Sequence, residues 1–113
     1  MRCLLRAKIH RATVTDANPE YVGSITIDED LLQRADIWPG EKVLVADVAN
    51  GARFDTYAVP GKAKSGTVCV NGSAARLVNK GDKIIVMAFE YTESPIMPKV
   101  VLVDESNRFV KMA

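Results

Sequence analysis

Two copies of one short pattern sit 41 positions apart: Pro39-Gly40-Glu41-Lys42-Val43-Leu44-Val45 and Lys80-Gly81-Asp82-Lys83-Ile84-Ile85-Val86. Each reads as a glycine turn, an acidic and a basic residue, and then an apolar, largely β-branched strand. Each also follows a short strand and a short helical stretch. A chain of 113 residues buries roughly two-thirds of the surface its unfolded form exposes, enough for one core and too little for two. Two strand–helix–turn–strand units sharing one core leave few arrangements, and a pseudo-symmetric closed barrel is the one that also removes exposed strand edges. The expectation is a single domain over residues 1–113, mainly β.

Local patterns agree. Cys3, Leu5, Ala7 and Ile9 alternate with Arg6, Lys8 and His10, as in a half-buried strand. Asp16-Ala17-Asn18-Pro19-Glu20 reads as a turn, after which a strand resumes near Ser24 with Ile25-Thr26-Ile27. Asp28 suits the N-cap of a short helix carrying Glu29 and Asp30 in its first turn, and Pro39-Gly40 should end it. Strands over 42–48 and 53–59 flank Asn50-Gly51, a dipeptide suited to a tight hairpin. Pro60-Gly61 and residues 62–66 read as a polar loop, and further strands fall at 67–70, 83–91, 99–104 and 108–112, with Glu105-Ser106-Asn107 as a second hairpin turn.

The composition narrows the function classes. With 48% hydrophobic and 26% charged residues the chain is neither disordered nor a membrane span. Its 15 Lys+Arg against 14 Asp+Glu argue against a nucleic-acid partner, which calls for a basic excess. The apolar run after Arg2 is too short for a signal-peptide core, so no membrane partner and a cytoplasmic location are expected. Cys3 and Cys69 have no ligand spacing, and His10 is the single histidine, so no metal is expected and both cysteines read as reduced, packed thiols.

Nucleotide-binding, serine-hydrolase and zinc-protease signatures are absent. Asp55-Thr56 is followed by Tyr57 and not by glycine, which leaves an aspartic-protease reading without its tight turn. What remains is Gly23-Ser24, where a loop enters a strand. Alone, that dipeptide is ordinary turn chemistry. Taken with Lys8-Ile9-His10-Arg11, Tyr21, Asn50-Gly51, Arg53-Phe54, Thr56-Tyr57 and Val70-Asn71-Gly72, it resembles the pyruvoyl-dependent aspartate 1-decarboxylases in order, spacing and chain length, from about Lys8 to about Glu90. Two departures stand out: Ala46 replaces an aromatic residue found in some members, and Ser73 replaces an alanine.

The resemblance implies a double-psi β-barrel with short helices. It implies a precursor that cuts itself between Gly23 and Ser24 into chains 1–23 and 24–113, converting Ser24 into a pyruvoyl group. That ketone would take L-aspartate as a Schiff base and release carbon dioxide and β-alanine, for pantothenate and coenzyme A synthesis, with neither metal nor pyridoxal phosphate. It further implies a homotetramer with sites between subunits, and a maturation factor is a partner to consider.

The residue types suit these roles. A serine hydroxyl attacks a neighbouring carbonyl only when held close with its oxyanion stabilised, and Gly23 leaves that carbonyl open. The resemblance places Thr56 and Asn71 beside it as neutral donors, although a cross-strand threonine and a turn-capping asparagine are the structural alternatives. Tyr57 is the candidate to return a proton to the substrate carbon, since a phenol ordinarily holds its proton at neutral pH, or else it is a barrel-wall aromatic. Lys8 and Arg53 suit the two substrate carboxylates or are solvated surface charges. Gly72, Ser73 and Ala74 are implied as substrate-binding through their turn, with His10 and Tyr21 in support. The other reading is a non-catalytic double-psi barrel, a binding or assembly module in which Ser24 merely begins a strand.

Overall fold

The computed structural model describes residues 1–113. Its elements are β1 (Arg2–Thr13), β2 (Asp16–Asn18), β3 (Ile25–Asp28), α1 (Glu29–Ala35), β4 (Lys42–Asp47), β5 (Arg53–Gly61), β6 (Val68–Asn71), a 3-10 helix (Gly72–Leu77), β7 (Lys83–Thr92), β8 (Lys99–Val103) and β9 (Phe109–Met112). Neighbouring strands run β2-β6-β3-β5-β4-β7-β1-β8-β9. Only Val14 and Thr15 separate β1 from β2, so one nearly continuous segment pairs with β7 at its start and with β6 at its end. That segment closes the sheet. Across the gap Val14 N–H donates to Asp82 O and Thr15 N–H to Val68 O, both at 2.8 Å.

The sequence repeat is a repeat in space. Gly40 N–H donates to Ala58 O at 2.7 Å and Ala58 N–H to Glu41 O at 3.0 Å. In the other half, Gly81 N–H donates to Val14 O and Val14 N–H to Asp82 O, both at 2.8 Å. The turn is built twice over: Trp38 N–H donates to Glu41 Oε1 and Asn79 N–H to Asp82 Oδ2. Gly40 and Gly81 take φ of 85° and 94° there, which is why the pattern carries glycine. Pairing obeys the same dyad, with β3 parallel to β5 as β6 is parallel to β2, and β4 antiparallel to β5 as β7 is to β1.

The barrel interior is aliphatic. Ile9, Ile25, Ile27, Val43, Val45, Val68, Val70, Ile84 and Val86 point inward, and α1 adds Leu31, Leu32 and Ala35 to the same cluster. Each such side chain contributes about 1.5–3 kcal/mol by leaving water. Asp28 caps α1 through Asp30 N–H and, from the same carboxylate, accepts the N–H groups of Lys64 and Gly66. It is 1% exposed.

Several sequence expectations need correction. Asp16–Asn18 is a strand, β2, because continuing from β1 satisfies its backbone on β6 despite its turn-forming side chains. The helix ends at Ala35, well before Pro39-Gly40: Asp36 takes the left-handed conformation at φ 58° and Ile37 N–H closes on Leu32 O. Pro60-Gly61 belongs to β5, paired in parallel with Ile27 and Asp28. The Asn50-Gly51 connection is wider than a two-residue turn, since Asp47 accepts from Ala49 and Asn50 N–H and Gly51 N–H closes on Asp47 O. Cys3 is exposed and not packed; both cysteines are free thiols.

Candidate active site

Strands β3 and β6 build the site by register. They run antiparallel with Ile25 opposite Val70 and Thr26 opposite Cys69. Alternation sends Ile25, Ile27, Val68 and Val70 into the core and leaves Ser24, Thr26, Cys69 and Asn71 together on the other face. Asn71 N–H donates to Ser24 O at 3.0 Å, and Asn71 Nδ2 donates to Ser24 Oγ at 3.4 Å and to Thr26 Oγ1 at 3.1 Å. Cys69 Sγ donates to Asn71 Oδ1 at 3.1 Å. Asn71 stands at the N-cap of the 3-10 helix but makes no capping bond. Its amide is diverted from that common role to the serine, which sets aside the turn-capping alternative.

The backbone before β3 is strained. Gly23 has φ 39° and Ser24, a residue with a Cβ, has φ 83°. A side chain in that region costs about 1–3 kcal/mol and persists only where the surroundings enforce it. Here they do: Ser24 is 3% exposed, and Gly72 presses on the preceding residue. A Cβ on Gly72, itself at φ 69°, would stand 2.8 Å from Gly23 Cα and N and 3.3 Å from Tyr21 O. On the other side, the Tyr57 hydroxyl lies 3.4 Å from where a Gly23 Cβ would be. The Gly23 carbonyl accepts no hydrogen bond from the chain.

Gly23, Ser24, Tyr57, Asn71, Gly72 and the Tyr21 backbone are thus brought together. Thr56 occupies the opposite face of β5 from Tyr57, the face of Phe54 and buried Ala58. Ser73 and Ala74 follow Gly72 in the first turn of the 3-10 helix, Ser73 exposed and Ala74 partly buried. Ala46 is buried in β4. Lys8 and His10 share the outward face of β1, where Lys8 pairs with Met87 of β7 and Val100 of β8. Three strands, β5, β4 and β7, separate β1 from β3 in one direction. In the other, Lys8 lies about 26 Å along the β1–β2 segment from Asp16, the partner of Cys69.

Arg53 shares the outer face of β5 with Tyr57, about 13 Å away along the strand. Neither Lys8 nor Arg53 has an ionic partner, and no hydrogen bond joins either to the Gly23-Ser24 cluster. His10 Nδ1 is buried without a partner. Burial first, then the charges of Lys8 and Arg11, push its imidazole below the ordinary histidine range. No three His, Cys, Asp or Glu side chains converge as metal ligands would, and no helix is long and apolar enough to cross a membrane. Sequence reasoning missed Thr26 and Cys69 as partners of Asn71; only the β3–β6 register reveals them.

Barrel closure, internal dyad and the position of the strained serine together define the chain as a double-psi β-barrel protein. Comparison with known proteins agrees with that class and narrows it. The aspartate decarboxylase family profile matches residues 1–110. An aspartate 1-decarboxylase of Desulfitobacterium hafniense (strain DSM 10664 / DCB-2) is 55% identical, the match covering 99% of this chain and 91% of the relative. One from Caldicellulosiruptor saccharolyticus is 53% identical over 97% of this chain and 89% of its own length. Neisseria meningitidis serogroup C has an aspartate 1-decarboxylase 54% identical over 95% of this chain and 87% of its own length. The chain belongs to the aspartate decarboxylase family.

Proposed function

We propose that this chain is the precursor of a self-processing, pyruvoyl-dependent enzyme that decarboxylates L-aspartate to β-alanine. The observation that carries the proposal is the left-handed backbone of Ser24, at φ 83° and all but buried, with its hydroxyl held by Asn71 and the preceding carbonyl left unbonded. Left-handed side chains also occur at Arg11, Asp36, Lys64 and Asn107; it is the conjunction at Ser24 of that conformation with burial, a held hydroxyl and an unbonded preceding carbonyl that weighs against a purely binding or assembly role.

Processing follows from these atoms. Ser24 Oγ attacks the Gly23 carbonyl carbon and loses its proton; the Gly23–Ser24 C–N bond breaks, the nitrogen takes a proton, and an ester joins the two segments. Loss of the Ser24 α-proton expels the Gly23 carboxylate and leaves a carbon–carbon double bond at residue 24. Water then replaces nitrogen as ammonia departs, giving segment 1–23 with a free carboxylate and segment 24–113 ending in a ketone. Gly72 and Tyr57 hold the loop from both sides, and Asn71 holds the attacking hydroxyl through its neutral amide; Thr56, on the other face of β5, is not brought to them. The residues fit the group: its carbons are those of Ser24, and no metal or imported cofactor is called for.

The ketone supplies an electron sink for the bond that releases carbon dioxide. Tyr57, with its hydroxyl against Gly23, returns a proton to the substrate carbon. Arg53 and Lys8 take the two carboxylates, and the first N–H groups of the 3-10 helix, at Gly72, Ser73 and Ala74, line the same side. Tyr21 shapes the cleaved loop, and His10 supports Lys8 from the same face of β1. Because β1 stands away from Ser24 in one chain, Lys8 meets a serine site by association, and the working unit is a homotetramer with sites between subunits. The product feeds pantothenate and coenzyme A synthesis in the cytoplasm.

Intact mass spectrometry tests this reading. Aged protein should appear as segments 1–23 and 24–113, the larger one lighter by ammonia and reactive towards hydrazine or borohydride. Ser24→Ala should remain whole and release no carbon dioxide. An uncut Ser24→Ala protein that still decarboxylates aspartate would refute it. Light scattering of active, dilute protein as a monomer would overturn the shared site.

A further inference from the structure

We infer that Cys69 and Thr26 are positioning residues for backbone cleavage: together they fix the orientation of the Asn71 amide, so that its NH2 end, and not its oxygen, faces Ser24 Oγ. This rests on the processing reading above and adds residues to it. An asparagine side chain has a donor end and an acceptor end of nearly the same shape, and a hydroxyl accepts either. Ser24 and Thr26, both hydroxyl residues, cannot by themselves choose between the two orientations. Cys69 tips the choice, because its sulfur is a poorer acceptor than a hydroxyl oxygen and its thiol approaches Asn71 Oδ1 at 3.1 Å as donor, while Thr26 Oγ1 takes one Nδ2 hydrogen at 3.1 Å and Ser24 Oγ the other at 3.4 Å. Both hydrogens of the amide and one lone pair of its oxygen are then used.

The choice matters chemically. With the NH2 end towards Ser24, one serine lone pair is occupied, the other is free to reach the Gly23 carbonyl carbon, and the hydroxyl proton is uncommitted. In the opposite orientation that proton would be donated to an amide oxygen, a very weak base, and the serine would be held as a donor. The geometry is built in by pairing: Thr26 and Cys69 are directly opposite across β3 and β6, and Asn71 is two residues beyond Cys69 on the same face. Burial first, then the nearby charge of Asp16 on β2, pushes the Cys69 thiol above its ordinary range, which keeps the proton it must donate.

The test is the cleavage rate of freshly isolated full-length precursor, followed by intact mass, for wild type, Cys69→Val and Cys69→Ser, each checked for a cooperative thermal transition. Serine keeps a donor at the same place, though its oxygen also accepts, and valine offers neither. Cys69→Val should slow cleavage by roughly fivefold to tenfold, the effect of one neutral hydrogen bond, and Cys69→Ser should fall between valine and wild type. Equal rates for valine and wild type, or a serine variant as slow as valine, overturn the inference. Should the valine variant not fold, Thr26→Val against Thr26→Ser puts the same question from the other end of the amide, and equal rates there are equally fatal. Wild-type protein that never cleaves is a separate result: it removes the processing reading itself.

Discussion

Replacing Gly72 with alanine separates crowding of the cleavage loop from ordinary backbone strain. Gly72 has φ 69°, so any side chain there costs about 1–2 kcal/mol in conformation alone. The added Cβ would also sit 2.8 Å from both Gly23 Cα and Gly23 N, where ordinary contact begins at 3.4 Å. Backbone and not a flexible side chain must therefore yield, by about 0.6 Å. Since a displacement of about 1 Å between reacting groups is worth on the order of a hundredfold in rate, cleavage should slow between about tenfold and a hundredfold. Gly81→Ala supplies the control: its φ is 94° and nothing lies within 4 Å of the added carbon. Both variants should lose stability in urea unfolding, Gly72→Ala the more by the cost of its clash, but only Gly72→Ala should show slow conversion to segments 1–23 and 24–113 by intact mass. If the two variants cleave at one rate, Gly72 is not pressing the scissile loop into place and the reasoning fails.

Tyr57→Phe should still cleave but lose β-alanine formation by about a hundredfold or more, measured as carbon dioxide release, because proton return and not folding depends on the hydroxyl. Asp28→Ala removes the helix cap together with the acceptors for Lys64 and Gly66 N–H, and should cost about 3 kcal/mol in urea unfolding. Asp47 is 1% exposed and its Oδ2 has no N–H donor. Burial first, then the Asp82 carboxyl, pushes it above the ordinary aspartate range, while the shared proton holds Asp82 below that range. Stability from Asp47 is then complete below the ordinary range and lost as pH rises through its raised value; that from Asp82 has the opposite sense. Asp47→Asn keeps the acceptor for Ala49 and offers Asp82 an N–H, so it should gain about 1 kcal/mol at neutral pH and nothing in mild acid; a difference that does not change with pH would contradict the shared proton.

The parts of this fold that were legible in the sequence are those fixed within a few residues. The repeated glycine turn, the alternation of Ala7 to His10 and the cap at Asp28 are local matters of dihedral angle and side-chain period, and each is found where it was read; a bulge between Leu5 and Ala7 breaks the alternation before that and leaves Cys3 exposed. What escaped depends on partners far along the chain. Asp16–Asn18 has turn-forming side chains, and only pairing with β6 makes it a strand. The helix stops at Asp36 because a left-handed aspartate and the Ile37 amide close it, a signal weaker in sequence than the proline and glycine that follow. The site divides in the same way. Gly23-Ser24 alone says little, and a family resemblance gave it meaning. That Lys8 stands away from Ser24, and that Cys69 meets Asn71, are matters of strand order and register that no local pattern carries.

On the proposed function, the dyad also accounts for the choice of Ser24 over its counterpart in the other half. Asn71 N–H donates to Ser24 O at 3.0 Å, and in the other half Asp28 N–H donates to Thr67 O at 2.8 Å, so Gly66-Thr67 stands where Gly23-Ser24 stands. The barrel thus offers the same frame twice, and its two halves use it differently. Gly66 is held at both ends, its N–H by Asp28 Oδ2 and its carbonyl by Asn107 Nδ2, each at 2.9 Å, and Thr67 keeps an ordinary negative φ. The Gly23 carbonyl is unheld and Ser24 is left-handed. The residues that end the two strands differ accordingly. Asp28 turns its carboxylate to three backbone N–H groups and fixes its half; Asn71 turns an amide to the serine. A carboxylate at 71 would offer Ser24 no donor and would set a negative charge beside the oxyanion formed when the hydroxyl attacks, which low dielectric makes more costly. On the proposed function the fold supplies the strain-bearing frame, and the neutral donor on one side of the dyad sets where that strain is used.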